Sequence, residues 1–284
     1  MHIIDYKSIT GTEDRGDVIA IPELNPKKVA APQFVSLADL NIELTVPTAF
    51  LYIGGATVSS SEAGLGTGEG VYFPAIKTGA SYIAHMWAST FKNLEYLTQM
   101  QVIEGTCAAG IHAINQAFEM LYSQRRDAVS EVIIIGHERI TPDTTRLFKE
   151  LGIPITCGDG FVYMRLGKGF DIADVKWKWA HNPNPFVFSW ETLDTLLPGY
   201  RIGYVKLHGT GTEANETAEA GLAELATPVR YKDKIGHTQG ISALIETCLV
   251  MDDPNIRGRI LVTANGLGGY YGAFTLTKPN ARNI

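Results

Sequence analysis

Gln101-Val102-Ile103-Glu104-Gly105-Thr106-Cys107-Ala108-Ala109-Gly110 passes from a short strand through a turn of small residues into a helix. Downstream, Ile111, Ile114, Ala117, Phe118 and Leu121 recur at helical spacing, which predicts a helix from Ala108 to about Gln124. The next segment, Glu131–Gly136, is nearly all β-branched and is expected as a strand buried on both faces. Upstream, Phe50–Gly55 predicts a buried strand, and a helix is expected from about Ala80 to Thr98. A further strand is expected at Phe161–Leu166.

The second half repeats the theme. Strands are expected at Asp174–Trp179 and Gly203–Leu207, flanking a short helix near Trp190–Leu197. Helices follow at Asn215–Ala226 and Gln239–Met251, and strands at Arg259–Ala264 and Gly272–Thr277. Alternating strands and helices with buried strands predict a layered α/β fold with a mixed or parallel sheet. Residues 1–47 carry Pro22, Pro26, Pro32 and Pro47, so they are expected to be extended or irregular. The Ser/Gly-rich stretch Ser59–Gly70 has the composition of a surface loop.

The bulk properties narrow the classes. The chain has 284 residues, 45% of them hydrophobic and 19% charged, with a formal net charge of -6. That suits one large domain, or two half-domains sharing a core. The acidic balance speaks against a nucleic-acid partner, which would select a basic face. The clusters Gln124-Arg125-Arg126 and Arg257 with Arg259 read as solvated ends of elements. Cys107, Cys157 and Cys248 are widely spaced, so neither a disulfide framework nor a metal site is expected. The N-terminus has no apolar segment of the signal-peptide kind, and no run approaches the roughly 20 apolar residues a membrane helix needs. A cytoplasmic protein without membrane contact is expected.

Three side chains stand where chemistry is done in α/β folds. Cys107 opens a helix, where free backbone N–H groups and the helix dipole favour a thiolate. A lone cysteine is more often a small buried hydrophobe, and its position alone does not separate the two readings. His208 follows a strand within Leu207-His208-Gly209-Thr210-Gly211-Thr212, at the strand end where such folds hold ligands. Thr210 and Thr212 can donate hydrogen bonds to an amide-rich substrate arm. His237 lies in Ile235-Gly236-His237-Thr238-Gln239-Gly240, again a turn leading into a helix. Either histidine alone is equally well a turn or capping residue.

Taken together, these segments resemble the β-ketoacyl synthases of the thiolase superfamily. The family's cysteine followed by small residues matches Gly105–Gly110, and its HGTGT motif stands letter for letter at His208–Thr212. The acidic pair that follows is matched by Glu216 and Glu219. The K-x-x-I-G-H-T motif is matched by Lys232–Thr238, with a glutamate nine residues on at Glu246. The C-terminal G-F-G-G turn appears as Gly266-Leu267-Gly268-Gly269, and Gly158-Asp159-Gly160-Phe161 resembles the turn opening the last strand of the family's first half. The motifs occur in family order.

The resemblance implies a five-layer αβαβα fold of two pseudo-repeated halves, about 1–168 and 169–284, forming one domain. It implies Cys107 as acyl-carrying nucleophile, with the N–H groups of Cys107 and Leu267 as oxyanion hole. His208 and His237 would act on a malonyl-type thioester as CO2 leaves, and Lys232 and Glu246 would tune the charge around His237. Thr210, Thr212, Gly268 and Gly269 would contact the substrate. The implied cofactor list is empty, since the phosphopantetheine thioester travels with the substrate. The implied partners are an acyl carrier protein or CoA thioester and a second copy of the chain, paired through Gln101–Glu104, or a different subunit in a heterodimer. The glycine turn lacks the second cysteine of thiolases, and His237 stands where priming synthases carry asparagine. The chain is shorter than ordinary members, and Leu267 replaces the family's phenylalanine. Two other functions therefore stay open: an acyltransferase or thioester hydrolase without decarboxylation, and a non-catalytic partner subunit.

Overall fold

The computed structural model describes residues 1–25, 28–54, 80–123, 129–150, 152–153, 155–179, 202–266 and 269–278. The Ser59–Gly70 stretch, the Gln124–Arg126 cluster, the helix expected near Trp190–Leu197, and Leu267 and Gly268 lie outside the described residues.

The strands of the first half are β1 (His2–Thr10), β2 (Glu13–Asp14), β3 (Val18–Ala20), β4 (Thr48–Ile53), β5 (Leu97–Ile103), β6 (Glu131–Glu138), β7 (Cys157–Gly158) and β8 (Gly160–Gly167). Its helices are α1 (Ala30–Ala38), α2 (Ala80–Ala88), α3 (Ala109–Tyr122) and α4 (Pro142–Glu150). The second half holds β9 (Ile172–Trp179), β10 (Tyr204–Lys206), α5 (Glu213–Leu225), β11 (Thr227–Val229), α6 (Lys232–Ile235), α7 (Ser242–Asp252), β12 (Gly258–Gly266) and β13 (Tyr270–Lys278).

Two five-stranded sheets carry the architecture, ordered β1-β8-β6-β4-β5 and β9-β13-β12-β10-β11, and β2, β3 and β7 form a small third sheet. Each large sheet begins with two antiparallel pairings and ends with two parallel ones. The halves therefore share one topology, and the chain passes from one to the other between Gly167 and Ile172.

Side-chain alternation assembles the layers. In β4, Ala49, Leu51 and Ile53 join the central core, while Phe50 and Tyr52 face outward onto Phe34, Ile83 and Trp87 of α1 and α2. In β12, Ile260, Val262 and Ala264 face the same central core, while Leu261 packs outward with Leu222 of α5. α3 and α7 lie between the sheets, and α7 is buried nearly all round. The result is the five-layer αβαβα arrangement.

Two expectations need correction. Residues 1–47 are only partly irregular: β1 is an extended strand that pairs antiparallel with β8 along its length, and α1 forms despite Pro32. Pro32 sits in the first turn of α1, where a missing N–H costs nothing. The helix expected at Ala80–Thr98 stops at Ala88. The Ser89 and Thr90 hydroxyls bond back to the Met86 and Trp87 carbonyls, and Asn93 adopts a left-handed φ of 59° before the chain enters β5.

Leu244 of α7 is fully buried and packs within the central core and beside Gly110. Leu244→Ala should cost about 2–5 kcal/mol, read as a lowered urea midpoint at unchanged m-value.

Candidate active site

Two strained turns meet at the centre of the molecule. The first, Thr106–Ala108, precedes α3, and the second, Gln239–Ile241, precedes α7. Both are single 3₁₀ turns, both open on a non-glycine residue at φ 50°, and they pack against each other. A left-handed threonine and glutamine are costly, and such strain is retained where the surroundings fix it. Gly266, at the end of β12, lies on the first turn: a Cβ there would meet Thr106 Oγ1 at 2.1 Å and the Gly105 carbonyl at 2.8 Å. Cys107 is buried within this turn.

The second turn fixes His237. The Gln239 N–H donates to His237 Nδ1 at 2.9 Å, and Ser242 Oγ lies 3.4 Å from the same nitrogen. Nδ1 is thus an acceptor, so in the neutral ring Nε2 carries the proton and is a donor. The backbone is clamped as well, His237 N donating to Thr156 O at 2.8 Å and Gly158 N to His237 O at 3.1 Å. Gly236 permits this crossing, with φ 74° and a would-be Cβ 2.4 Å from the Cys157 carbonyl oxygen.

His208 reaches the same place from β10. Its ring and that of His237 lie edge to face, with centroids 5.5 Å apart. The turn after β10 is held by Glu219, which accepts from the N–H groups of His208 at 2.5 Å and Gly209 at 2.9 Å. His208 Nδ1 is buried and has no hydrogen-bond partner among the described residues. Burial pulls both imidazoles well below the ordinary histidine range, and the Lys232 and Lys206 ammonium groups push in the same direction. Both rings are therefore neutral near pH 7.

Lys232 and Glu246 are joined, Nζ to Oε1, at 2.5 Å. Sequence reasoning missed a third member: Lys206 Nζ lies 2.5 Å from Glu246 Oε2 and is fully buried. Its signal was a lysine in the apolar strand Tyr204-Val205-Lys206-Leu207, two residues before His208. Asn215 and Asn265 were missed too. Asn215 Nδ2 donates to Thr210 Oγ1, and Asn265 Nδ2 donates to Asn215 Oδ1 at 3.4 Å. The Thr212 hydroxyl caps α5 by accepting from Asn215 N. Thr210 and Thr212, 3.2 Å apart through their hydroxyls, thus belong to one polar network at the mouth of β10. Of the acidic pair only Glu219 serves the site, because Glu216 makes an exposed double ion pair with Arg230. Glu104 is exposed in the single chain, not buried. Gly269 is buried with φ 83° ahead of β13.

The other cysteines are quiescent. Cys157 accepts from Gln239 Nε2 at 3.7 Å, and burial pushes its thiol up to about 12. Cys248 is raised as well, chiefly by burial.

Comparison with solved structures fits this geometry. A β-ketoacyl synthase from Burkholderia phymatum STM815 superposes with a TM-score of 0.65 at 15% identity, over 93% of this chain and 88% of that one. The chain has a ketosynthase-like fold. The ishigamide ketosynthase/chain length factor superposes at 0.63 and 14% identity, over 97% and 92% of the two chains. A type II polyketide synthase acyl-carrier protein in complex with its ketosynthase, bound to the hexaketide, gives 0.64 and 14%, over 93% and 88%. No family model and no curated protein matches the sequence. A ketosynthase-like chain this far from its structural neighbours shares their scaffold, so its chemistry rests on its own residues.

Cys107 should be alkylated by iodoacetamide at least tenfold faster than Cys157 and Cys248 in the native protein, read by peptide mass spectrometry; equal labelling would remove it as nucleophile. Gly236→Ala should lower stability by roughly 1–3 kcal/mol and disturb His237, seen as a shifted imidazole resonance.

Proposed function

We propose that the protein is a decarboxylative condensing enzyme of the ketosynthase type, and one observation carries the reading. His237 accepts the Gln239 N–H at Nδ1, which leaves the proton on Nε2; its ring lies edge to face with that of His208, and the turn that holds it packs against the turn of Cys107. Two neutral imidazoles in a buried site suit a reaction in which negative charge develops on an oxygen.

In this mechanism the Cys107 thiolate attacks an acyl thioester carbonyl. The carbon–sulfur bond to the carrier breaks, and the carrier leaves as a thiolate that takes up the proton released when the Cys107 thiol ionised. The N–H groups of Cys107 and Leu267 stabilise the oxyanion. A malonyl-type thioester then binds, its pantetheine arm along Thr210, Thr212, Gly268 and Gly269. Its carbon–carboxylate bond breaks, CO2 leaves, and the electron pair moves onto the thioester oxygen as an enolate. His208 and His237 donate to that oxygen. The enolate carbon attacks the acyl-Cys107 carbonyl, and collapse expels the Cys107 thiolate to give a β-ketoacyl thioester. Lys232 and Glu246 set the charge at His237. No cofactor beyond the substrate's own phosphopantetheine takes part.

The carrier is an acyl carrier protein or CoA, in fatty-acid, polyketide or related biosynthesis. The acyl-carrier-protein complex among the structural neighbours supports the former. The ketosynthase/chain length factor neighbour favours a second reading, a non-catalytic subunit. Retention of Cys107 with both histidines speaks for catalysis. A homodimer is proposed through β5, an edge strand bordered by a groove lined by Gln99, Gln101, Gln116 and Tyr122. Sedimentation at micromolar concentration should show a dimer; a monomer would point to a different subunit as partner.

His208→Ala and His237→Ala should each slow malonyl decarboxylation about 10²–10³-fold and leave Cys107 acylation much less affected. His237→Asn should keep part of the rate, since asparagine still donates. Acylation and CO2 release are read by intact-protein mass spectrometry and a headspace assay. If neither alanine variant lowers CO2 release, or the wild type releases none from any malonyl thioester, the acyltransferase or hydrolase reading replaces this one.

A further inference from the structure

Alternation along β10 is sharp. Val205 and Leu207 pack outward with Leu222 and Leu261, so Lys206 and His208 face the central layer together. An apolar residue would suit position 206. A lysine there gives up its hydration entirely and needs a reason.

Its partner is Glu246, on the central helix α7. Each carboxylate oxygen of Glu246 meets a different ammonium group, Oε1 that of Lys232 and Oε2 that of Lys206, both at 2.5 Å. One lysine would satisfy a buried glutamate. The second makes a clamp whose two jaws come from different elements, β10 and α6. Lys206 is also bonded through the chain to His208, two residues on, and Lys206 and Lys232 both act electrostatically on both imidazoles. Among the described residues, the other charged or titratable groups around the site are Glu219 from α5, Cys157 from β7, on which Cys107 and Glu138 act, and Tyr231 beside α6, which Glu246 acts on.

We propose that Lys206 is a positioning residue of the histidine pair: with Lys232 it clamps Glu246 from both sides, and this clamp fixes the charge that faces His208 and His237. The proposal rests on the condensing reading above for its role in catalysis, and on the Lys206–Glu246–Lys232 ion-pair geometry and the placement of Lys206 beside His208 for its electrostatic role. With both lysines in place the imidazoles stay neutral and donate. Without Lys206 one cation is lost and Glu246 is left with a single partner. Both changes make the pocket more negative, and both favour protonated imidazoles.

The test compares wild type, Lys206→Met, Lys206→Gln and Glu246→Gln. Histidine ring ¹⁵N resonances are followed from pH 5 to 8, and malonyl-thioester decarboxylation is measured over the same range. His208 and His237 should be neutral near pH 7 in the wild type. In Lys206→Met their apparent pKa should rise by about one unit or more, moving the acid limb of the rate profile upward by the same amount. The rate loss should then grow as the pH falls, approaching about tenfold on the acid limb and being smallest at pH 8. Glu246→Gln changes the charge in the opposite direction and should move the acid limb downward, never upward. Should Lys206→Met fail to fold, Lys206→Gln removes the same charge with a polar side chain. Imidazoles in both Lys206 variants that titrate as in the wild type would overturn the proposal, as would a rate loss equal at every pH. If the wild type released no CO2, the condensing reading would fail, while the resonances would still decide the role of Lys206.

Discussion

Everything in this molecule follows from sandwiching two helices between two sheets. α7 has almost no solvent face to spare and is small or apolar on nearly every side, while α3 is mostly small or apolar along its first two turns and leaves Glu119 and Tyr122 exposed near its end. Gly110 lets them approach: a Cβ there would stand 3.2 Å from Leu244 Cγ and 3.3 Å from the Gly240 carbonyl oxygen. Once the helices lie side by side in a closed layer, their N-terminal turns come together at its centre. The site is a consequence of the packing, and its strain at Thr106 and Gln239 is held by the same contacts.

Placing chemistry in such a layer has an electrostatic cost. Lys206, Glu219, Lys232 and Glu246 are all buried. Glu219 is raised above the usual carboxylate range and Lys206 lowered below the usual lysine range, in each case first by burial. The arrangement persists because each charge has a short-range partner: backbone N–H groups for Glu219, and two ammonium groups sharing Glu246. Neutral imidazoles are the outcome, and a neutral N–H suits an oxygen that gains charge during the reaction. On the condensing proposal, a protonated imidazole would instead bind the malonyl carboxylate in the ground state, which does nothing for its loss.

How far the sequence reveals this depends on the kind of signal. Buried strands were legible, because runs such as Val132–Ile135 allow little else. The motif residues Cys107, His208 and His237 were legible as short strings. The N-terminal strand was not, since β1 is an edge strand whose side chains are largely exposed and show no clean alternation. Lys206 was hidden for a different reason. Its significance comes from Glu246, which lies 40 residues later, and only the crossing of β10 and α7 brings the two together. The Asn215–Asn265 contact spans 50 residues and is equally invisible to a local pattern.

The topological repeat makes the asymmetry of the site intelligible. The turn before α3 and the turn before α7 are equivalent in conformation, so Thr106 corresponds to Gln239 and Cys107 to Gly240. The first half thus supplies a thiol where the second has no side chain at all. The second half supplies both imidazoles, His208 from the end of β10 and His237 from just before the turn. Two thiols facing each other at the axis would compete for one acyl group. Gly240 brings no side chain to the second position, and on the condensing proposal the nucleophile and its hydrogen-bond donors come from different halves. A repeated fold can therefore separate nucleophile from hydrogen-bond donors by losing one side chain in one copy, without altering the strained turn that both copies share.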